Sequence, residues 1–197
     1  HHRNRSYAVA HNGNLVNANI LRDALARAGS IFQTTSDSEV ILHLMIQPRR
    51  EGHEASLVSA LRRVQGAFSL VIMGEREMIA ARDPHGFLPL CLGRLDGAWV
   101  VSSETCAFDL IRADYVRDVE PGEVVVIDGN GIRSIRYVDP SHERAFCIFE
   151  HVYFARPDSV LMGGFVSETR KRMGRELARL HPVDADIVIP VPDSGNY

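Results

Sequence analysis

Residues 67–83, AFSLVIMGEREMIAARD, decide what kind of fold this chain adopts. Two β-rich runs, AFSLVIM and MIAARD, flank the polar turn GERE. Short apolar runs bounded by turn residues read as paired antiparallel strands. The pattern continues downstream. LPLCLGRL and AWVVSSE follow, set off by PHG and LDG turns, with a short helix expected over TCAFDLIRA. VEPGE reads as a turn, EVVVID as a strand, GNG as a tight turn and IRSIRYV as the partner strand.

Upstream the texture is helical. Residues 7–11 read as a short strand entering an Asn12-Gly13 turn, and a helix follows from about Asn17. Leu21, Ala24, Leu25 and Ala28 share one face of it, and Gly29 is a C-terminal stop. In TTSDSEVILHLMI, Ser36 and Glu39 have the spacing of a capping box. Val40, Ile41 and Leu44 form an apolar stripe that Pro48 ends. A third helix is expected from about Glu54 to Gln65. Helices followed by successive hairpins imply an α+β layered domain over residues 1–139. Beyond it CIFEHVYFARPDS is mixed, and GFVSETRKRMGRELARL is an amphipathic helix. DADIVIPVP reads as a buried strand. Residues 140–197 are therefore expected to link to, and open, a separate α/β domain.

With 197 residues, 45% apolar and 24% charged, the chain can bury a core. Its net charge of −3 is spread evenly and shows no nucleic-acid stripe. No apolar run has the length of a membrane span. Three cysteines, Cys91, Cys106 and Cys147, are odd in number and form no CxxC, which suits a reducing cytoplasm. The start HHRNRS has no apolar leader region. The nine histidines offer no HxxxH spacing, so no zinc site is assigned. Neither end reads as natural, and the chain is expected to be a piece of a longer protein.

Two stretches can carry chemistry. In HNGN, Asn-Gly is in one reading simply a turn, because glycine takes positive φ at no steric cost. In the other, the Gly13 N–H and the Asn12 side-chain amide stabilise an oxyanion. In TTSDSE, Asp37 is either a first-turn residue facing the positive end of a helix or a fixed carboxylate for a substrate ammonium.

An oxyanion-type turn, one helix, then a capped TSDSE start resembles the glutamine-binding half of the class II glutamine amidotransferases, which are N-terminal-nucleophile hydrolases. Within that group the chain is similar to the amidophosphoribosyltransferase family. AHNGNLVNA, FQTTSDSEV, GAFSLVIM, ARDPHG with PL, SSETCAFD, VEPGE and CIFEHVYFARPDS fall in the family's order and cover nearly the whole chain. SSETCAFD and YFARPDS separate it from the glucosamine-phosphate synthase branch.

The resemblance implies a four-layer αββα sandwich. It implies glutamine and phosphoribosyl pyrophosphate (PRPP) as substrates, 5-phosphoribosylamine as product and a homo-oligomer when intact. Mg²⁺ would sit with PRPP outside these residues. Asn12 and Gly13 match the oxyanion-hole pair, and Asp37 matches the carboxylate that holds the glutamine α-amino group. The family's nucleophile is an N-terminal cysteine upstream of HNGN, so this chain by itself is expected to be inactive. Cys106 reads as a small apolar residue near a helix start. Cys147 reads either as a structural cysteine or, as in cluster-bearing members, as one ligand of a [4Fe–4S] cluster, which takes four thiolates. One departure stands out. The family's DPxGxRPL reads DPHGFLPL here, with Leu88 in place of Arg and His85 as the nearby polar group. Two other readings are another class II amidotransferase and a degenerate, non-catalytic module of the same fold.

Overall fold

The computed structural model describes residues 6–46, 53–139 and 143–197. The chain divides into two compact units. The first comprises residues up to 90 and residues 118–146; the second comprises residues 91–117 and 147–197.

The first unit is a five-stranded antiparallel sheet with three helices. Strands β1 (Ala8–Leu15), β2 (Gly66–Met73), β3 (Glu77–Arg82), β7 (Glu123–Asp128) and β8 (Gly131–Arg136) lie in the order β1-β2-β3-β7-β8. Helices α1 (Ala18–Arg27), α2 (Asp37–Met45) and α3 (His53–Leu61) supply Leu21, Leu25, Val40, Ile41, Leu44, Leu57 and Leu61 to the core. Alternate residues of the strands, Phe68, Leu70 and Ile72, then Ile79 and Ala81, then Val124 and Val126, meet them. This is the period of two that places one side of a sheet against helices. The β2–β3 hairpin pairs Ser69 with Arg82 through Met73 with Met78, as AFSLVIMGEREMIAARD predicts. The β7–β8 hairpin closes through Gly129-Asn130, and the Asn130 N–H is caught by the Asp128 carboxylate at 2.8 Å.

The second unit holds a three-stranded sheet, β5-β4-β6, from β4 (Cys91–Leu95), β5 (Ala98–Ser102) and β6 (Asp114–Asp118). The β4–β5 turn places Asp96 and Gly97 both at positive φ, the two-residue hairpin geometry that LDG suggests. Helix α4 (Cys106–Ile111) buries Phe108 beside Cys91 and Ala113. A π-helical turn (Glu150–Phe154), a two-residue hairpin of β9 (Val160–Leu161) and β10 (Gly164–Phe165), and helix α5 (Val166–Leu180) follow. The antiparallel sheets and their helices are the α+β class expected from the sequence.

Three local expectations need correction. Asn12-Gly13 is not a turn: β1 runs straight through HNGN to Leu15, paired to β2 at every position. Helix α3 stops at Leu61, short of Gln65. DADIVIPVP forms no strand, and Ile187, Val188, Ile189 and Val191 lie exposed. A strand is defined by its partners, and no described residue pairs with this run. The expected helix stop at Pro48 lies outside the described residues.

Candidate active site

The candidate site lies where the start of α2 meets the outer edge of β1. The chain enters α2 through a tightly bonded loop. Ser36 caps the helix by accepting the Ser38 N–H at 3.3 Å. Glu39 does not reach back to the Ser36 N–H as a capping box would. It reaches further, to the N–H groups of Gln33 (2.8 Å) and Thr34 (2.9 Å) and to the Thr34 hydroxyl (2.7 Å). Partial burial would raise the Glu39 pKa, but these bonds outweigh it and carry it down to about 2. Arg22 on α1 ties the same loop by donating to the carbonyls of Thr34 and Ser36, each at 2.7 Å, while lying over the Phe32 ring.

This loop delivers Asp37 to β1. The Asp37 Oδ2 accepts the Leu15 N–H at 3.0 Å, and Oδ1 lies 3.2 Å from His11 Nδ1. Burial raises the carboxyl's pKa, and the Leu15 N–H with the neighbouring His11 overrides that and holds it below the usual carboxylate range. The Asp37 side chain remains 24% exposed, so its lone pairs are not all enclosed.

The direction of the β1 backbone follows from its partners. Leu15 donates outward to Asp37, whereas Val16 donates inward to the Gln65 carbonyl at 2.9 Å. Phe68, opposite Gly13, turns both its N–H and its carbonyl to Asp83 instead. By the alternation of antiparallel pairing, the Gly13 N–H therefore points to the open edge, on the same side as Leu15. Gly13 has φ +145°, and a Cβ there would collide with the Ala67 carbonyl oxygen. Asn12 is exposed and, by the same alternation, lies on the opposite face from His11 and Leu15. Gly13 and Asp37 thus share one edge, and Asn12 flanks them.

The loop that carries Leu88 is held by Arg82 and Asp83. Buried Arg82 donates to the carbonyls of Leu88 (2.7 Å), Val119 (2.9 Å) and Gly86 (3.1 Å). Asp83 accepts the N–H groups of His85 (2.8 Å), Phe87 (3.0 Å) and Phe68 (3.3 Å). The Leu88 side chain is buried, and His85 bonds the Glu143 carbonyl at 2.9 Å.

In the second unit the two late motifs bind one another. Glu104 of SSETCAFD accepts the Arg156 N–H (2.8 Å) and the Ser159 hydroxyl (2.6 Å) of ARPDS. Thr105 accepts the Val160 N–H at 2.8 Å. Burial, with Glu104 nearby, pushes the Glu150 carboxyl up to about 6. Cys106 is buried and its thiol is pushed upward by that burial, as befits a packed side chain. Cys147 is half-buried. Among the described residues no three His, Cys, Asp or Glu side chains gather as a metal would need, so these residues alone do not form a cluster site.

Comparison with known proteins gives the family. Residues 1–109 match the model of the glutamine amidotransferase domain, more than half of the chain, and the chain belongs to that family. Several of its relatives are amidophosphoribosyltransferases. It is 52% identical to the chloroplastic amidophosphoribosyltransferase of Glycine max over 98% of this chain and 34% of the relative. It is 47% identical to the amidophosphoribosyltransferase of Bacillus subtilis over 98% of this chain and 40% of the relative. The solved structure of the glutamine PRPP amidotransferase from B. subtilis, complexed with ADP and GMP, superposes with a TM-score of 0.93 at 45% identity, covering 99% of this chain and 43% of that one. The expected N-terminal-nucleophile type of fold is therefore that of its relatives. The chain spans about a third to two fifths of the length of these curated relatives.

His11, which contacts Asp37 and Ser38, is the residue of this edge that sequence reasoning did not single out. Its signal was legible: it stands four residues before Leu15, on the same face of an alternating strand.

Proposed function

We propose that this chain carries the glutamine-handling part of an amidophosphoribosyltransferase, with residues 1–139 as the glutaminase domain and 140–197 as the approach to a phosphoribosyltransferase domain. The observation that carries the reading is the shared edge of β1, where the Gly13 N–H and the Asp37 carboxylate are presented together. A glutamine bound there would place its ammonium on Asp37. Its amide carbonyl would meet the Gly13 N–H and the Asn12 side chain as attack turns the oxygen into an oxyanion. The nucleophile implied by the family is an N-terminal cysteine acting with its own amine as base. Cys91, Cys106 and Cys147 are internal and have no α-amine to serve in that way.

Glutamine would yield glutamate and ammonia, and the ammonia would displace pyrophosphate from PRPP to give 5-phosphoribosylamine. Mg²⁺ would accompany PRPP outside these residues, and a cluster ligated by Cys147 would need three further thiolates. A homo-oligomer in the cytoplasm is the expected setting, and no described helix is long and apolar enough to cross a membrane. The test is to supply the full-length protein with PRPP and either glutamine or ammonia. Release of pyrophosphate with both nitrogen sources, and of glutamate with the first, is expected. Glutamate without pyrophosphate would point to another acceptor, and no glutamate would overturn the glutaminase reading.

A further inference from the structure

The proposed chemistry makes no use of His11. Its side chain is only 4% exposed. Nδ1 lies 3.2 Å from Asp37 Oδ1 and 3.1 Å from Ser38 Oγ, and Nε2 is buried with no partner among the described residues. The Ser38 hydroxyl is itself placed to donate to Asp37 Oδ1, at 3.4 Å, which leaves its oxygen able to accept. A carboxylate has no proton to give, so the short Nδ1···Oδ1 contact is attractive only if Nδ1 carries the hydrogen. With Nδ1 as donor, a neutral ring leaves Nε2 as a bare acceptor. A proton there would be a buried donor with no partner among the described residues.

We propose that His11 is a positioning residue for Asp37, held as the neutral Nδ1–H tautomer, which fixes the carboxylate at the edge of β1 for a substrate ammonium. The tautomer also bars His11 from acting as a base through Nδ1. The imidazole grips one oxygen of Asp37 and the Leu15 N–H grips the other, so the carboxylate plane is set from two sides. This inference rests on the reading of Asp37 as the ammonium-binding group.

Two measurements test it. Histidine labelled with ¹⁵N in the wild-type protein should show His11, assigned by loss of its signals on substitution, with Nδ1 protonated and Nε2 bare. The opposite pattern would overturn the tautomer assignment, whatever the enzyme does. In the full-length protein His11→Asn keeps a donor near the Nδ1 position, whereas His11→Gln moves it toward Nε2. The glutamine KM should stay within about threefold for Asn and rise about tenfold for Gln, the size of one lost charge-assisted bond. The ammonia-dependent rate of each variant, as the denominator, removes any loss from misfolding. Equal glutamine KM values for the two variants would overturn the positioning role. If Asp37→Ala leaves glutamine use intact, the functional reading of Asp37 fails instead, and the tautomer result still stands.

Discussion

Asp83 and Asp37 both hold backbone N–H groups with a carboxylate, and the surroundings leave them in opposite states. Asp83 is wholly buried and takes three N–H groups from two directions, while the neighbouring Arg82 takes three carbonyls. All of that bonding turns inward and fixes the loop 83–90. Asp37 takes the Leu15 N–H, the His11 imidazole and, at 3.4 Å, the Ser38 hydroxyl, and its side chain stays 24% exposed at the edge of a sheet. A buried polar group with every bond satisfied is a structural tie. One held firmly yet left with acceptor capacity facing outward is suited to a ligand. The two aspartates are equally plain in the sequence, and only their surroundings distinguish them.

Removing the closed tie should have the largest effect on stability. Asp83→Ala strands the buried Phe68 N–H and unties the part-buried N–H groups of His85 and Phe87, and urea unfolding should show a loss of about 4 kcal/mol. A loss below about 1 kcal/mol would break the contrast between the two aspartates. Gly13→Ala comes next, because the added Cβ meets the Ala67 carbonyl and the backbone is at φ +145°. About 2 kcal/mol is expected in the same assay. Asp37→Ala should be the mildest of the three in stability, at about 1 kcal/mol, since the open carboxylate holds less of the fold.

Glu39 sharpens the comparison through pH. Its folded value of about 2 lies below the ordinary glutamate value of 4.5. Its contribution is therefore fully present above about 4.5 and is lost as pH falls toward about 2. Glu39→Gln should flatten the acid limb of a stability–pH curve in that window and leave the curve near neutrality parallel to wild type.

Much of the fold could be read directly. The β2–β3 and β7–β8 hairpins announce themselves because their apolar alternation and their turn residues are local. HNGN misled for a physical reason. Asn-Gly is a turn signal, but here the glycine is required by the close approach of Ala67, some fifty residues away, which no local pattern encodes. DADIVIPVP misled because apolar content shows only that a segment can be buried, not what would cover it. At the site, the residue types of Gly13 and Asp37 were legible, but the bonds that bring them to one edge span 22 and 26 residues and emerge only on folding. Leu88 stands where the family pattern has Arg, and its side chain is buried. Arg82 holds that loop from the strand beside it.

The most direct measurement is the ratio of glutamine-dependent to ammonia-dependent activity in Asp37→Ala of the full-length protein. If Asp37 binds the substrate ammonium, the ratio falls on the order of a hundredfold, because ammonia bypasses the pocket. Equal loss with both nitrogen sources would contradict that role and leave Asp37 as a second structural tie.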